Sequence, residues 1–249
     1  MLFRSIVSKS FVEGFYYKPR VDLQLLEKYH EGLIALSACL AGEVARYLTR
    51  GMYEDAKAAA LRYQDIFGKG NFFLELQDHG IPEQQNVNQQ LLKMHRETGI
   101  ELVATNDVHY TLAEDAQPHD VLLCLQTGKK LSDENRMRYD GGQYYVKSPE
   151  EMERLFPYAT EALENTHKIA QRCHVEIEFG VTKLPKFDVP QGYTSWEYLN
   201  ELCFKGLEER YQPVTEELKE RLNYELSTIK NMGYVDYFLI VWDFIRYAR

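Results

Sequence analysis

Residues 101–112, ELVATNDVHYTL, decide how the chain is read. An apolar, strand-like run ends in Asn106, Asp107, Val108 and His109. In extended backbone, side chains at i and i+2 project to the same side, so Asp107 and His109 can face one centre. That geometry suits a metal ion. The plainer alternative is a carboxylate that caps the loop beside a hydrogen-bonded histidine.

Two apolar runs of the same kind precede this one, LIALSAC at 33–39 and FFLELQ at 72–77. Helical periods lie between them. A short helix is read at 43–48, and YEDAKAAALRYQDIF then places Ala56, Ala59, Ala60, Tyr63, Ile66 and Phe67 on one face and stops at Gly68. The next helix opens at Pro82, carries Val87, Leu91 and Met94 at i, i+4 and i+7, and closes at Gly99. A third, AQPHDVLLCLQTG, ends at Gly128. This alternation predicts β/α units with parallel strands.

Each strand ends in polar or metal-capable side chains: Cys39, then Asp78 and His79, then Asp107 and His109. Sites in parallel α/β folds gather at the C-terminal ends of strands. A thiolate such as Cys39 beside imidazole and carboxylate favours zinc or another first-row ion, with metal-assisted phosphoester chemistry as the activity to expect. Cys39 alone reads as well as a small core residue, and His79, His95, His119, His167 and His174 read as surface or structural. Glu75, in mid-strand, faces a barrel centre or forms an ion pair.

After Gly128 the chain is polar, and KKLSDENRMRYDGGQYYVK reads as a loop or hairpin turning at Asp140, Gly141 and Gly142. Its Lys129, Lys130, Arg136 and Arg138, interleaved with Tyr139, Tyr144 and Tyr145, form either a phosphate-backbone contact or a solvated loop. Ser148, Pro149 and Glu151 make a capping-box start, Thr160 opens a helix to about Cys173, and HVEIEF at 174–179 reads as a strand. Prolines and glycines at 180–195 mark a boundary. Beyond it the sequence is helical at 196–210, again after a Thr215 cap with Leu218, Leu222, Leu226 and Ile229 on one face, and in the apolar end YVDYFLIVWDFIRYAR. That end carries no capping signal, as expected of a helix cut in mid-course.

With 249 residues, 45% hydrophobic and 27% charged, the chain has the make-up of an ordinary globular protein of one large domain or a domain and a half. A net charge of −9 excludes grip on nucleic acid over the whole surface while leaving room for a local basic patch. Four scattered cysteines with no C-x-x-C pair point to a reducing cytoplasm rather than a disulfide framework. No secretory h-region or membrane span is read. Walker A and G-x-S-x-G patterns are absent.

The collinear runs IVSKSFVEGFYYKPRVDLQLLEKYHEGLIALSACLAGEV, VATNDVHYTLAEDAQPHDVLLCLQTGKKL and MGYVDYFLIVWDFIRYAR resemble the bacterial DNA polymerase III alpha subunits, the C-family replicative polymerases. The resemblance covers essentially the whole chain. It implies that residues 1–185 are a polymerase and histidinol phosphatase (PHP) domain without its N-terminal strands, and that 186–249 begin the polymerase palm. The fold expected is therefore α/β, a partial distorted (β/α)7 PHP-type barrel followed by a mostly helical segment. The resemblance further implies divalent metal (zinc, manganese or magnesium) in the PHP domain, with Cys39, Asp107 and His109 among its ligands, and magnesium at a polymerase site outside this chain. Primer-template DNA, deoxynucleotides and other holoenzyme subunits such as the sliding clamp are the partners it implies, with no membrane. Some family members use the PHP centre for 3′–5′ exonuclease work, and others keep it as scaffold.

The family's upstream H-x-H strand and further ligands, its glycine-rich nucleotide loop and its catalytic aspartates do not occur in this sequence. An internal piece of the polymerase is expected, inactive alone in polymerisation and weak in metal binding. A free-standing PHP-type phosphoesterase is the competing reading, although the helices at 196–249 have no place in such an enzyme. A non-catalytic scaffold is the third.

Overall fold

The three apolar runs pair side by side. In the computed structural model, which describes residues 2–181 and 183–249, β1 (Ala35–Leu36), β2 (Phe72–Leu76) and β3 (Leu102–Ala104) form one parallel sheet in that order. Ala35 lies opposite Phe72, and Leu74 opposite Leu102. β1 is shorter than its apolar run because Ala38 turns out of the extended region, with φ +65°.

The crossovers are the expected helices. α3 (Glu43–Thr49) and α4 (Tyr53–Phe67) join β1 to β2, and α5 (Pro82–Thr98) joins β2 to β3. Pro82 sits in the first turn of α5, where an N–H has no intrahelical acceptor. Gly99 ends that helix in the left-handed conformation and donates its N–H to His95 O at 2.8 Å. One face of the sheet, Phe72, Leu74, Leu76, Leu102 and Ala104, packs into a single core with Ala56, Ala59, Ala60, Val87, Leu91 and Met94. Burial of each large side chain there contributes about 1.5–3 kcal/mol.

Downstream, α6 (Ala116–Thr127) ends at a left-handed Gly128. α7 (Pro149–Leu155) opens with the Ser148–Glu151 capping box, and α8 (Thr160–Arg172) packs on β3. There the buried Asn165 donates from Nδ2 to Leu102 O at 2.8 Å, satisfying a carbonyl in the core. Two helices were not legible in the sequence, α1 (Leu2–Val12) and α2 (Leu23–Tyr29), since charged residues interrupt their apolar positions. Asp22 caps α2 by accepting from Leu25 N–H at 2.8 Å.

One expectation is corrected. HVEIEF alternates as a strand should, yet Val175, Ile177 and Phe179 are 80%, 68% and 84% exposed and pair with no strand among the described residues. Alternation does not make a strand where the segment joins no ladder and buries neither face. Of the two readings at 129–147, the loop is the one present: the chain turns at Gly141 and Gly142 and returns to form a single parallel bridge between Tyr110 and Tyr145. The architecture present is thus α/β with a small parallel sheet.

Chain contacts divide the molecule into two units, Met1–Val175 and Glu176–Arg249. The second is helical: α9 (Ser195–Arg210), α10 (Glu216–Asn231) and α11 (Val235–Ala248). Thr194 opens α9 with a capping box, and Thr215 caps α10 by accepting from Leu218 N–H. Leu199, Leu226 and Leu239 are its buried centre. Asp236 Oδ1 accepts from Phe187 N–H at 3.0 Å and from the Ser195 hydroxyl at 2.8 Å, tying the approach segment to the start of α11. No helix among the described residues is long and apolar enough to cross a membrane.

Candidate metal centre

At the end of β1, Ser37 N–H still donates to Phe73 O at 2.9 Å before Ala38 adopts its positive φ, uncommon for a residue with a side chain. The turn closes on Gly42, where a Cβ would stand 2.4 Å from Ser37 O, so only glycine fits. Cys39 rides this turn and is exposed.

At the end of β2, Asp78 accepts from Gly80 N–H at 2.9 Å and so fixes the turn. His79 is buried. Its backbone N–H donates to Gln84 Oε1 at 2.8 Å, its Nδ1 lies 3.3 Å from the same oxygen, and its Nε2 accepts Asp107 N–H at 3.3 Å. Gln84 Nε2 also approaches Nδ1, at 3.1 Å; the Nε2 that accepts carries no proton, and burial pushes the His79 pKa below the usual histidine value. His79 therefore holds the β3 end in place through Asp107's own backbone.

Asp107 and His109 come together at the end of β3. His109 Nδ1 stands 2.9 Å from Asp107 O and 3.8 Å from Asp107 Oδ1. Tyr139 lies over the His109 ring at 4.2 Å between centroids, while Tyr144 and His119 meet it edge-on at 5.6 and 5.8 Å. Tyr144 stacks flat on His79 at 4.5 Å, and Tyr144 O accepts His109 N–H at 2.8 Å. Burial pushes the Tyr144 hydroxyl pKa up. This aromatic box around His109 was not legible in the sequence: His79 and His119 read as structural, and the tyrosines as loop residues. Placement of His79 one step past a strand end was the available signal.

Thiol, imidazole and carboxylate are the donor types a first-row divalent ion takes. The number within reach of one point is too small. Among the described residues no three His, Cys, Asp or Glu side chains gather as a metal site requires, and a catalytic zinc site takes three protein ligands. Asp107 and His109 are neighbours, and Cys39 does not join them in such a group. The three residues do not by themselves fit a resident ion.

The basic run divides: Lys129, Lys130 and Arg138 are exposed, and Arg136 is not. Arg136 turns inward, its guanidinium donating to both carboxylate oxygens of Asp120 at 2.5 and 2.7 Å, and Arg138 donates to Asp133 O at 3.0 Å. Arg136's hydrogen bonds hold the Asp120 carboxyl below the usual carboxylate range.

A parallel α/β unit with metal-capable groups at its strand ends, followed by helices, is the arrangement to be classed. Residues 2–79 match the PHP domain family, and residues 197–249 match the bacterial DNA polymerase III alpha NTPase domain. The class is thus a PHP domain joined in one chain to polymerase sequence. Over 97% of its length the chain is 46% identical to the DNA polymerase III subunit alpha of Treponema pallidum, and over 98% it is 47% identical to that of Borreliella burgdorferi. The subunit from Thermus aquaticus is 36% identical over 98% of the chain. The chain belongs to the DNA polymerase III alpha subunit family. It spans about a fifth to a quarter of the length of these relatives, 21% of the first two and 25% of the third.

Proposed function

We propose that these 249 residues are an internal segment of a replicative DNA polymerase, whose whole protein copies template DNA from deoxynucleotides in the cytoplasm. The observation that carries this reading is the collinear identity of 46–47% over 97–98% of the chain, through both units. Residues 1–185 then form part of a PHP barrel and 186–249 the start of the palm. A free-standing PHP phosphoesterase is disfavoured by the polymerase-type match at 197–249. The test is primer extension: the full reading frame containing this chain extends a primer on a DNA template, while the 249 residues alone do not. Failure of the full protein to extend, with folding verified, would overturn the reading.

Within that protein, Cys39, Asp107 and His109 belong to a divalent-metal centre whose remaining donors lie outside the described group. Zinc, manganese and magnesium are the ions to test there. The palm's own magnesium lies elsewhere in the protein, and the sliding clamp is among the partners to test. Because only Asp107 and His109 meet here, the scaffold role is the stronger one for this chain by itself, and 3′–5′ exonuclease activity belongs to the whole protein.

A further inference from the structure

Glu75 stands in the middle of β2, and its carboxylate meets both neighbouring strand ends. Oε2 accepts Ala38 N–H at 3.1 Å, immediately before Cys39. Oε1 accepts the Thr105 hydroxyl, two residues before Asp107, and the Gln77 amide at 3.2 Å. The backbone N–H of Glu75 in turn donates to Ser37 Oγ at 2.9 Å. None of these partners is a cation, so the expected alternative of an ion pair is not what fills this position.

We propose that Glu75 is a positioning residue, whose carboxylate holds the Cys39 turn and the Asp107 strand end in fixed register across the sheet. Two features favour a carboxylate over any other group. Both of its oxygens accept at once: a glutamine could keep the Ala38 N–H only by turning its NH2 towards the Thr105 hydroxyl and the Gln77 amide, which would then have to accept instead of donate. Ala38 is also the residue at φ +65°, a conformation that persists only when its surroundings enforce it, and its N–H is the group Glu75 holds. Sequence spacing made Cys39 and Asp107 look like independent strand ends. In the structure they share one carboxylate.

The inference takes from the proposed metal centre only the purpose of the fixed register, and its geometry is tested without metal. Hydrogen exchange at the Ala38 amide is measured in the 249-residue chain and in Glu75→Leu, Thr105→Val and Thr105→Ser. Glu75→Leu, which has no acceptor, is expected to speed Ala38 exchange about three- to tenfold, the loss of one hydrogen bond. Thr105→Val, on the other strand, is expected to speed the same amide in the same direction, and Thr105→Ser, which keeps the hydroxyl, to restore it. Amides of α4 and α5 report whether the fold is intact. Ala38 exchange within twofold of wild type in Glu75→Leu, or a Thr105→Val chain in which only β3 amides change, would overturn the proposal. A full-length protein that takes up no Zn²⁺ or Mn²⁺ would remove the metal reading, and the Ala38 rates would still decide the role of Glu75.

Discussion

The two units of this chain are held by different means. In the first, a small sheet buries one whole face against α4, α5 and α8, and the same strands deliver polar groups at their ends into a hydrogen-bonded network. In the second, three helices meet around the buried Leu199, Leu226 and Leu239, with partly buried side chains such as Trp196, Leu202, Leu222 and Ile229 packed on them, while Tyr237, Phe238, Phe244, Ile245 and Tyr247 of α11 remain 43–94% exposed. A core continuous from sheet to helices can hold side chains at strand ends in fixed places. The smaller, largely half-buried core of the second unit joins helices and has no strand ends to present. Candidate chemistry accordingly gathers in the first unit.

The largest effects should come from breaking either core, and they should differ in reach. Leu74→Ala, at a fully buried position in β2, is expected to destabilise by about 2–5 kcal/mol and to raise exchange throughout the first unit. Leu239→Ala, equally buried in α11, removes one of the three buried leucines of the second unit's core and is expected to open the second unit alone. Segment-resolved hydrogen exchange under mild denaturant separates the two; uniform opening of both units in either variant would erase the distinction.

A smaller effect is expected at β3. Asn165→Ala leaves the Leu102 carbonyl buried without its donor, with a loss of about 1–3 kcal/mol, read from the shift in denaturation midpoint. An unshifted midpoint would show that water replaces the amide.

The smallest concerns pH. Asp120 has its folded-state pKa lowered by Arg136, so the pair's contribution is present above the unfolded value of 3.8 and is lost as pH falls through the lower folded value. Amides at 129–138 should therefore lose protection only in acid. Arg136→Ala should weaken that acid dependence, since the largest cause of the lowered Asp120 pKa is then gone and only Arg138 and His119 still act on it; a dependence of undiminished size would place its source elsewhere.

The β/α alternation was legible because apolar stripes, Pro82 and the stop glycines Gly99 and Gly128 act locally. The pairing of Asp107 with His109 was legible too, since i and i+2 share a side. Contacts across 30 residues or more were not. Neither the stack of Tyr144 on His79 nor the bridge from Glu75 to Ala38 has any signature in local spacing. HVEIEF misled for the converse reason, having a strand's pattern while joining no ladder and burying neither face. Arg136 misled because a basic loop residue reads as solvated until its partner, sixteen positions earlier, is seen.

The most direct test of the account is metal content at the strand ends. The full-length protein proposed to contain this chain, and its Asp107→Asn, His109→Ala variant, are each equilibrated with Zn²⁺ or Mn²⁺, dialysed and analysed for bound metal. The account predicts that the double variant retains clearly less metal than the wild type, with α4 and α5 protected equally in both. Equal metal content in the two proteins would contradict it.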